Sequence, residues 1–418
     1  MTSTTWRAWL FALAVALSIA TAGAQRQAAP ILVLVSFDGF RWDYIDRGET
    51  PNLTALAARG VRARSLIPSF PSVTFPNHYT IVTGLYPSHH GIIANAFSDP
   101  AWPERFTMTA LTSRDPRWWG GEPIWVTAGR QNLRSGAMFW PGSDVPIGGL
   151  YPNYWTAFDD NMPNVDRVNH ALDQLALADG ERPSFLTVYF SEVDHVGHDY
   201  GPDSPEMPEA IRHLDASLGL LETGIDQLHL SDRTTYVVVS DHGMASLAAD
   251  RVVFLDDYLD LSRVDVEEWG EVVQLRPKVV QTFRSAESVD DIYQAIKGRH
   301  PSMTVYKREE MPERLHYRDN TRIQPVLALA AEGWEITSHA RWQNDQARHR
   351  KRGGAHGYDP ALPSMHGVFV AAGPQVKRGV VAPEFENVHV YDFLCGILGL
   401  SPAKNDGNPA VTRAFLTP

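Results

Sequence analysis

Cysteine is almost absent from this chain of 418 residues. The single cysteine, Cys395, lies in the apolar segment 390–400 and has no partner for an internal disulfide. A fold stabilised by disulfides is therefore excluded. We expect packing or metal ions to hold the fold together, with Cys395 as a core residue.

Positive charge is also scarce, since 37 lysines and arginines stand against 49 aspartates and glutamates, and the net charge is −12. Nucleic acids and anionic membranes attract proteins through basic surfaces. The charge balance therefore disfavours a general nucleic-acid-binding protein, and no nucleic-acid partner is predicted. A small phosphate ester held by metal ions remains compatible with this composition.

A long hydrophobic run occurs only near the N-terminus. Arg7 is followed by an apolar run at 8–17 and then by Ala22-Gly23-Ala24, a small-residue pattern that suits signal peptidase. The run is shorter than a membrane span requires, so we predict a signal peptide at 1–24 and export to the periplasm or the medium of a bacterium. An uncleaved anchor is the alternative. No membrane span is expected in the mature chain, 25–418.

The chain does contain β-branched runs that are separated by helical patterns. The runs lie at 31–38, 185–190, 236–240 and 368–372. Their nearly continuous apolar character is typical of strands that are buried on both faces of a parallel sheet. The predicted fold class is α/β, with a mostly parallel central sheet and helices on both faces. In such sheets ligands bind at the carboxyl ends of the strands.

The pattern changes between residues 245 and 355. Short strands, one of them at 279–283, surround one clear helix that is capped by Ser288. We predict an α+β insertion here, within a single catalytic domain at 25–418. The polar, glycine-ended segment 341–354 is predicted to be a loop.

Acidic residues and histidines follow three of the predicted strands. The candidate ligands are Asp38, the helical pair Asp194 and His198, and Asp241 with His242. Two late histidines, His356 and His366, precede the fourth strand, and either could complete a metal site. This mixture of nitrogen and oxygen ligands predicts a pair of zinc ions about 4 Å apart.

The candidate nucleophile is Thr74. A proline favours the first position of a helix, so Pro76 predicts a helix that runs to Gly84. Thr74 then lies at a helix N-terminus, where free N–H groups and a partial positive charge favour an alkoxide and an incoming phosphate. A threonine that merely caps the helix would occupy the same position. A zinc ion beside Thr74 would lower the pKa of its hydroxyl, which favours the nucleophile.

Several motifs occur in one order along the chain: VSFDGFR at 35–41, TFPNHY at 74–79, TGLYP at 83–87, HGI at 90–92, GEPIW at 121–125, WPGSD at 140–144, DHVGH at 194–198 and SDHGM at 240–244. They resemble the nucleotide pyrophosphatase/phosphodiesterase family of the alkaline phosphatase superfamily, in its bacterial single-domain form. The resemblance covers essentially the whole chain after the signal peptide. It implies an alkaline-phosphatase-like fold and a zinc-dependent hydrolase of phosphodiester and pyrophosphate bonds.

The resemblance also implies roles for individual residues. One zinc ion would be held by Asp38, Thr74, Asp241 and His242, and the other by Asp194, His198 and His356. His356 is favoured over His366 because it lies in a His-Gly-x-Asp context, as the ligand of the family does. Thr74 would be the nucleophile and would form a covalent phosphothreonine intermediate, while Asn95 would steady a phosphate oxygen.

The substrate is implied less directly. Members of the family hold a nucleobase between aromatic side chains, and Phe75 and Tyr189 match two residues of that pocket. The other stacking residue is one of Tyr154, Trp155 and Phe158. We expect small nucleotide phosphodiesters or phosphoanhydrides as substrates, with a nucleoside monophosphate as product. The alternatives are a choline-phosphate or phospholipid phosphodiesterase, a phosphomonoesterase with the same metal core, and a catalytically inactive zinc-containing binding protein.

Overall fold

The computed structural model describes residues 29–109, 111–278, 288–347 and 352–418. The predicted signal peptide at 1–24 and the strand predicted at 279–283 lie outside the described residues. Within the described part, no helix is both long enough and apolar enough to cross a bilayer.

The elements of the described residues are numbered here in chain order. The strands are β1 (Ile31–Phe37), β2 (Val61–Ala63), β3 (Leu66–Ile67), β4 (Ala96–Ser98), β5 (Arg105–Thr107), β6 (Ser135–Met138), β7 (Tyr154–Thr156), β8 (Phe185–Phe190), β9 (Thr234–Val239), β10 (Ala245–Ser246), β11 (Val252–Phe254), β12 (Val264–Glu268), β13 (Val272–Pro277), β14 (Met303–Lys307), β15 (Val326–Ala330), β16 (Glu335–Thr337), β17 (Gly354–Ala355), β18 (Phe369–Ala372), β19 (Val380–Ala382) and β20 (Phe385–Glu386). The helices are α1 (Pro51–Ala58), α2 (Thr74–Thr83), α3 (Pro87–His90), α4 (Ile124–Arg130), α5 (Asn164–Leu175), α6 (Glu192–Tyr200), α7 (Met207–Gln227), α8 (Val289–Ile296), α9 (His339–Ala347), α10 (Val390–Leu398) and α11 (Pro409–Arg413).

The centre of the fold is an eight-stranded sheet in the order β19-β2-β18-β9-β1-β8-β6-β7. Leu34 of β1 pairs in parallel with Thr187 of β8 and with Val237 of β9. Alternate residues of β1 enter different cores, Leu32 and Leu34 on one face and Val33 and Val35 on the other. Helices α2 and α10 cover the first face, and α5 and α7 cover the second. The predicted α/β fold with a mostly parallel sheet is confirmed.

One central strand runs in the opposite direction. Strand β18 pairs antiparallel with β9 on one side and with β2 on the other. Its N-terminal end therefore lies at the edge where β1, β8 and β9 end. This reversal brings the segment before β18, which contains the two late histidines, to the carboxyl edge of the parallel strands.

A second, antiparallel sheet in the order β12-β13-β15-β14 lies within the predicted insertion. It has its own apolar core, to which α8 contributes Ile292 and Ile296. The predicted cap of α8 is present, because the Ser288 hydroxyl accepts a hydrogen bond from Asp291 N at 3.1 Å. We propose that 245–355 forms an insertion between β9 and β18.

The prediction of a loop at 341–354 was wrong for its first half, because α9 occupies His339–Ala347. The hydroxyl of Ser338 accepts a hydrogen bond from Arg341 N at 3.3 Å and so caps the first turn. A polar composition is shared by loops and by exposed helices, and the sequence pattern alone did not distinguish them.

One buried aspartate joins two helices. Asp215 of α7 accepts hydrogen bonds from Leu53 N at 2.8 Å and from Asn52 N at 3.0 Å, and thereby caps α1. We expect Asp215→Ala to lower the free energy of unfolding by about 2–4 kcal/mol, because buried N–H donors lose their acceptor. Urea denaturation followed by circular dichroism measures the change.

Asp226→Ala is the matched control, since Asp226 is exposed on the same helix. Its effect should stay within about 0.5 kcal/mol. Equal effects of the two substitutions would contradict a capping role for Asp215.

Candidate active site

Three parallel strands deliver acidic residues to one edge of the central sheet. Asp38 directly follows β1, and Asp241 follows β9 by two residues. Asp194 lies in the first turn of α6, which begins two residues after β8. The carboxyl ends of adjacent parallel strands meet, so local chain direction alone brings these three carboxylates together.

His356 reaches the same place by a different route. It follows β17, which pairs antiparallel with β10 just beyond Asp241 and His242. A Cβ atom on Gly354 would lie 2.7 Å from the carbonyl oxygen of Gly197 in α6. Only glycine permits this approach of β17 to α6, and it brings His356 to within reach of His198.

The structure brings together the seven predicted ligand residues. His242 Nε2 lies 3.0 Å from Asp241 Oδ2 and 3.5 Å from Asp38 Oδ1. On the other side of the cluster, His356 Nε2 lies 3.1 Å from His198 Nε2. Both of these nitrogens lie 3.6 Å from Asp194 Oδ1. The imidazoles of His242 and His356 stack at 3.6 Å, which joins the two halves.

The three imidazoles share one tautomer. Each Nδ1–H donates to a backbone carbonyl oxygen: His198 to Gly354 at 3.1 Å, His242 to Gly243 at 2.9 Å and His356 to Ser72 at 2.9 Å. Each Nε2 lone pair therefore points into the cluster. Such outer hydrogen bonds are typical of histidines that ligate metal ions.

The carboxylates also direct unpaired atoms into the cluster. Asp38 Oδ1, Asp194 Oδ1 and Asp241 Oδ2 are buried and accept no hydrogen bond within the described residues. Buried polar atoms are normally paired, so three unpaired oxygens beside three Nε2 lone pairs fit divalent cations. Three groups of residues here have ligand atoms within 4.8 Å of one another: Asp194 with His198 and His356, Asp38 with Asp194 and His242, and Asp38 with His78 and Asp241.

The electrostatics of the site lead to the same inference. Burial raises the pKa of Asp38 well above its ordinary value, and the negative charges of Asp241 and Asp194 raise it further. Burial also opposes ionisation of Asp241, but His242 and His78 outweigh it and hold the pKa of Asp241 well below its ordinary value. Burial lowers the pKa of His356 to about 3, so this imidazole is neutral. A cation would relieve the mutual repulsion of the carboxylates.

Thr74 lies at the margin of this cluster. Its Oγ1 atom is 3.3 Å from His242 Nε2. Helix α2 begins at Thr74, two residues earlier than Pro76 had predicted, with Val73 as the N-cap and Gly84 as the left-handed C-cap. Thr74 is thus the first helical residue and its hydroxyl makes no capping hydrogen bond. The interpretation of Thr74 as a simple N-cap is therefore wrong.

His78 is a residue of this site that the sequence analysis missed. It is fully buried one helical turn after Thr74, and its Nδ1–H donates to the Thr74 carbonyl oxygen at 2.9 Å. Its Nε2 accepts from the hydroxyl of Ser36 at 2.8 Å. Both nitrogens are engaged in hydrogen bonds, and Nδ1 also lies 3.2 Å from Asp241 Oδ2. His78 therefore supports helix α2 and the position of Asp241. Its spacing of four residues from Thr74 was the available signal.

The predicted phosphate residue, Asn95, faces the start of the same helix. Its Oδ1 accepts a hydrogen bond from Phe75 N at 2.9 Å. The amide nitrogen of Asn95 has no hydrogen-bond partner among the described residues. One end of this side chain is therefore fixed by α2 and the other is available to a ligand.

The predicted aromatic residues separate into two groups. Tyr189 donates a hydrogen bond from its hydroxyl to Asp38 Oδ2 at 2.5 Å, and Phe158 packs edge-on against it at 5.9 Å. Tyr154 instead donates to the Glu181 carbonyl oxygen, and Trp155 stacks on Tyr151. Phe158 is thus the one of the three candidates that contacts Tyr189, whose hydroxyl bonds to Asp38 of the cluster.

Comparison with known proteins agrees with these observations. A family model described as type I phosphodiesterase / nucleotide pyrophosphatase matches residues 32–359. This chain belongs to that family. The resemblance to the nucleotide pyrophosphatase/phosphodiesterase family that the motifs indicated is confirmed.

The relatives include enzymes from animals. A venom phosphodiesterase from Crotalus durissus collilineatus is 37% identical over 397 residues, which are 93% of this chain and 47% of that protein. The chain spans about half the length of the animal relatives that it matches.

Solved structures of the family match over nearly the whole chain. Human ectonucleotide pyrophosphatase/phosphodiesterase 5 has a TM-score of 0.87 and 34% identity, and the match covers 93% of this chain and all of that one. The murine protein, as an inactive threonine-to-alanine variant in complex with AMP, has a TM-score of 0.85 and 35% identity over the same share of each chain.

The two late histidines provide a test of the cluster. We expect His356→Ala to lower the zinc content of protein dialysed against zinc by about one ion per chain, because one ligand set loses a nitrogen donor. Elemental analysis of the dialysed protein measures this content.

His366→Ala is the control. His366 is also buried, but its two ring nitrogens form hydrogen bonds with the Ser65 hydroxyl and the Pro360 carbonyl oxygen. It should keep its zinc. A loss of the same size in both variants would show that His356 acts only through stability.

Proposed function

We propose that this protein is a two-zinc phosphodiesterase/pyrophosphatase that uses Thr74 as its nucleophile to hydrolyse nucleotide phosphodiester or phosphoanhydride bonds. The observation that carries this proposal is the position of the Thr74 hydroxyl. It lies at the N-terminus of α2, 3.3 Å from His242 Nε2 and beside buried carboxylates with unpaired oxygens. A hydroxyl in this setting is suited to attack a phosphorus atom.

Two ligand sets would hold the ions. The first set is Asp38, Thr74, Asp241 and His242, and the second is Asp194, His198 and His356. Zinc supplies Lewis acidity, which favours the ionised form of a nucleophile and neutralises charge on a transferring phosphoryl group. Carboxylates and imidazoles are the usual ligands of such ions.

The reaction then has two displacements at phosphorus. Thr74 Oγ1 forms a bond to phosphorus as the bond from phosphorus to the leaving oxygen breaks. The proton lost from Thr74 passes to solvent, and the leaving alcohol or phosphate takes up a proton from solvent. Water then attacks the phosphothreonine, releases a nucleoside monophosphate and restores the Thr74 hydroxyl. The partial positive charge at the N-terminus of α2 and the amide nitrogen of Asn95 would stabilise the negative oxygens.

A nucleotide is the substrate class that the aromatic residues favour. Phe75 directly follows the nucleophile and is only partly buried against the core, and Phe158 is 56% exposed next to Tyr189. Exposed aromatic rings beside a phosphoryl-transfer site can stack on a nucleobase. The complex of a murine family member with AMP supports the same substrate class.

Two further proposals concern context. We propose export of the protein, from the sequence signal at 1–24 and from the secreted or extracellular character that the names of relatives carry.

Diesters are preferred over monoesters in this proposal. Within the described residues no lysine or arginine hydrogen-bonds to Thr74 or Asn95 to balance the additional charge of a monoester.

Removal of the Thr74 hydroxyl tests the mechanism. We expect Thr74→Val, which keeps the shape of the side chain, to lower turnover of bis-p-nitrophenyl phosphate by the zinc-loaded enzyme at least about a thousandfold. Thr74→Ser keeps a hydroxyl at the same place and should retain measurable turnover. Steady-state release of p-nitrophenol measures both variants.

Full activity of Thr74→Val would refute the assignment of Thr74 as the nucleophile. Faster turnover of p-nitrophenyl phosphate than of the diester would favour the phosphomonoesterase. Turnover of glycerophosphocholine but not of a nucleotide ester would favour the choline-phosphate reaction. If the zinc-loaded protein is inactive on all of these substrates, the alternative of a catalytically inactive zinc-containing binding protein is supported.

The aromatic candidates can be separated in the same way. We expect Phe158→Ala to lower kcat/KM for p-nitrophenyl thymidine 5′-monophosphate about tenfold, because one stacking partner of the base is lost. Activity on bis-p-nitrophenyl phosphate, which has no nucleobase, should change less. Trp155→Ala is the control and should leave both activities within about twofold of wild type. A larger effect of Trp155→Ala than of Phe158→Ala would reverse the assignment.

A further inference from the structure

The segment that carries Asn95 is held in place by side chains from the predicted insertion. It runs from Gly91 to Asn95, between α3 and β4, and Ile92, Ile93 and Ala94 in it are fully buried. Two of its backbone carbonyl groups accept hydrogen bonds from residues more than 200 positions later in the sequence. These hydrogen bonds come from distant parts of the chain, so the sequence of the segment itself does not reveal them.

The first of these hydrogen bonds comes from Tyr317. This tyrosine is fully buried, and its hydroxyl donates to the Ile93 carbonyl oxygen at 2.8 Å. Gln274 of β13 donates to the same hydroxyl at 3.2 Å, so the hydroxyl proton is directed at Ile93. The ring packs edge-on against Phe70 at 5.1 Å, which fixes its direction.

The second hydrogen bond to a carbonyl group of the segment comes from Arg322. Its Nη1 donates to the Gly91 carbonyl oxygen at 2.8 Å and to the Trp118 carbonyl oxygen at 2.7 Å, while Nε donates to Asp99 at 2.7 Å. Gly91 has a φ of +84°, and a Cβ atom there would lie 2.6 Å from Arg322 Nη1. Glycine is thus required both by the backbone and by the close approach of the guanidinium group.

The other end of the segment meets the nucleophile helix through the hydrogen bond from Phe75 N to Asn95 Oδ1. That bond leaves the amide nitrogen of Asn95 as the group for a ligand. The position of this nitrogen depends on where the backbone of the segment lies.

We propose that Tyr317 and Arg322 are positioning residues that hold the 91–95 segment so that the Asn95 amide faces the transferred phosphoryl group. This inference rests on the proposed function.

A double-mutant cycle tests the proposal in the full-length, zinc-loaded enzyme. Tyr317→Phe removes the hydroxyl and keeps the ring, and we expect it to lower kcat for bis-p-nitrophenyl phosphate about tenfold with little change in KM, since a small displacement of a catalytic group is costly. In an Asn95→Ala background the same substitution should change kcat less than about twofold, because the group that it positions is gone.

Tyr44→Phe is the matched control. Tyr44 is equally buried and donates its hydroxyl to the Pro202 carbonyl oxygen at 3.1 Å, away from Asn95. It should leave kcat within about twofold of wild type in either background. A tenfold loss from Tyr317→Phe that persists in the Asn95→Ala background would overturn the proposal, as would an unchanged kcat in the single variant.

A second measurement does not depend on activity. Hydrogen–deuterium exchange of peptides covering 91–97 should be faster in Tyr317→Phe than in wild type and unchanged in Tyr44→Phe. Unchanged exchange in Tyr317→Phe would also overturn the proposal. Failure of the proposed function appears differently, as an active Thr74→Val variant or an inactive wild type, and the exchange result still decides whether Tyr317 holds the segment.

Discussion

The mutual repulsion of three buried carboxylates is the constraint on which the site depends. Asp38, Asp194 and Asp241 occupy one edge of the sheet, with an unpaired oxygen on each. Burial alone would neutralise them, and no lysine or arginine among the described residues forms an ion pair with any of the three. His242 and His78 offset the cost of burial for Asp241, and the neighbouring Nε2 atoms supply further ligand atoms. A bound cation would relieve the mutual repulsion of these carboxylates, and a metal ion that binds only the folded edge would stabilise it.

The same edge collects the remaining parts of the site for related reasons. The N-terminus of α2 contributes partial positive charge, which complements the acids and an incoming phosphate. His78 links that helix to Ser36 on β1 by a hydrogen bond, which fixes the position of Thr74 relative to the central sheet. The reversed strand β18 returns the chain to this edge, and a glycine in β17 lets His356 come close to α6. Each of these features places a polar group next to the carboxylates.

The insertion contributes to the same site from outside the central sheet. Tyr317 and Arg322 hold carbonyl groups of the 91–95 segment, and the hairpin of β4 and β5 contacts β12 through Ser98 and Glu267 at 3.0 Å. The region that contains the second sheet therefore contacts and supports elements next to the candidate active site. Residues of this region support the 91–95 segment, which carries Asn95.

The sequence by itself determined the strands, the acids at their ends and the helical pair Asp194 and His198, because each depends on neighbouring residues and on the periodicity of the backbone. It placed the start of α2 two residues late, since proline is accepted at more than one position in a first helical turn. Tertiary structure alone decided the direction of β18, the support of Thr74 by His78, and which of Tyr154, Trp155 and Phe158 contacts the site. These features depend on contacts between residues that are distant in sequence and on the side of a strand from which each side chain leaves, and neither is encoded in a local pattern.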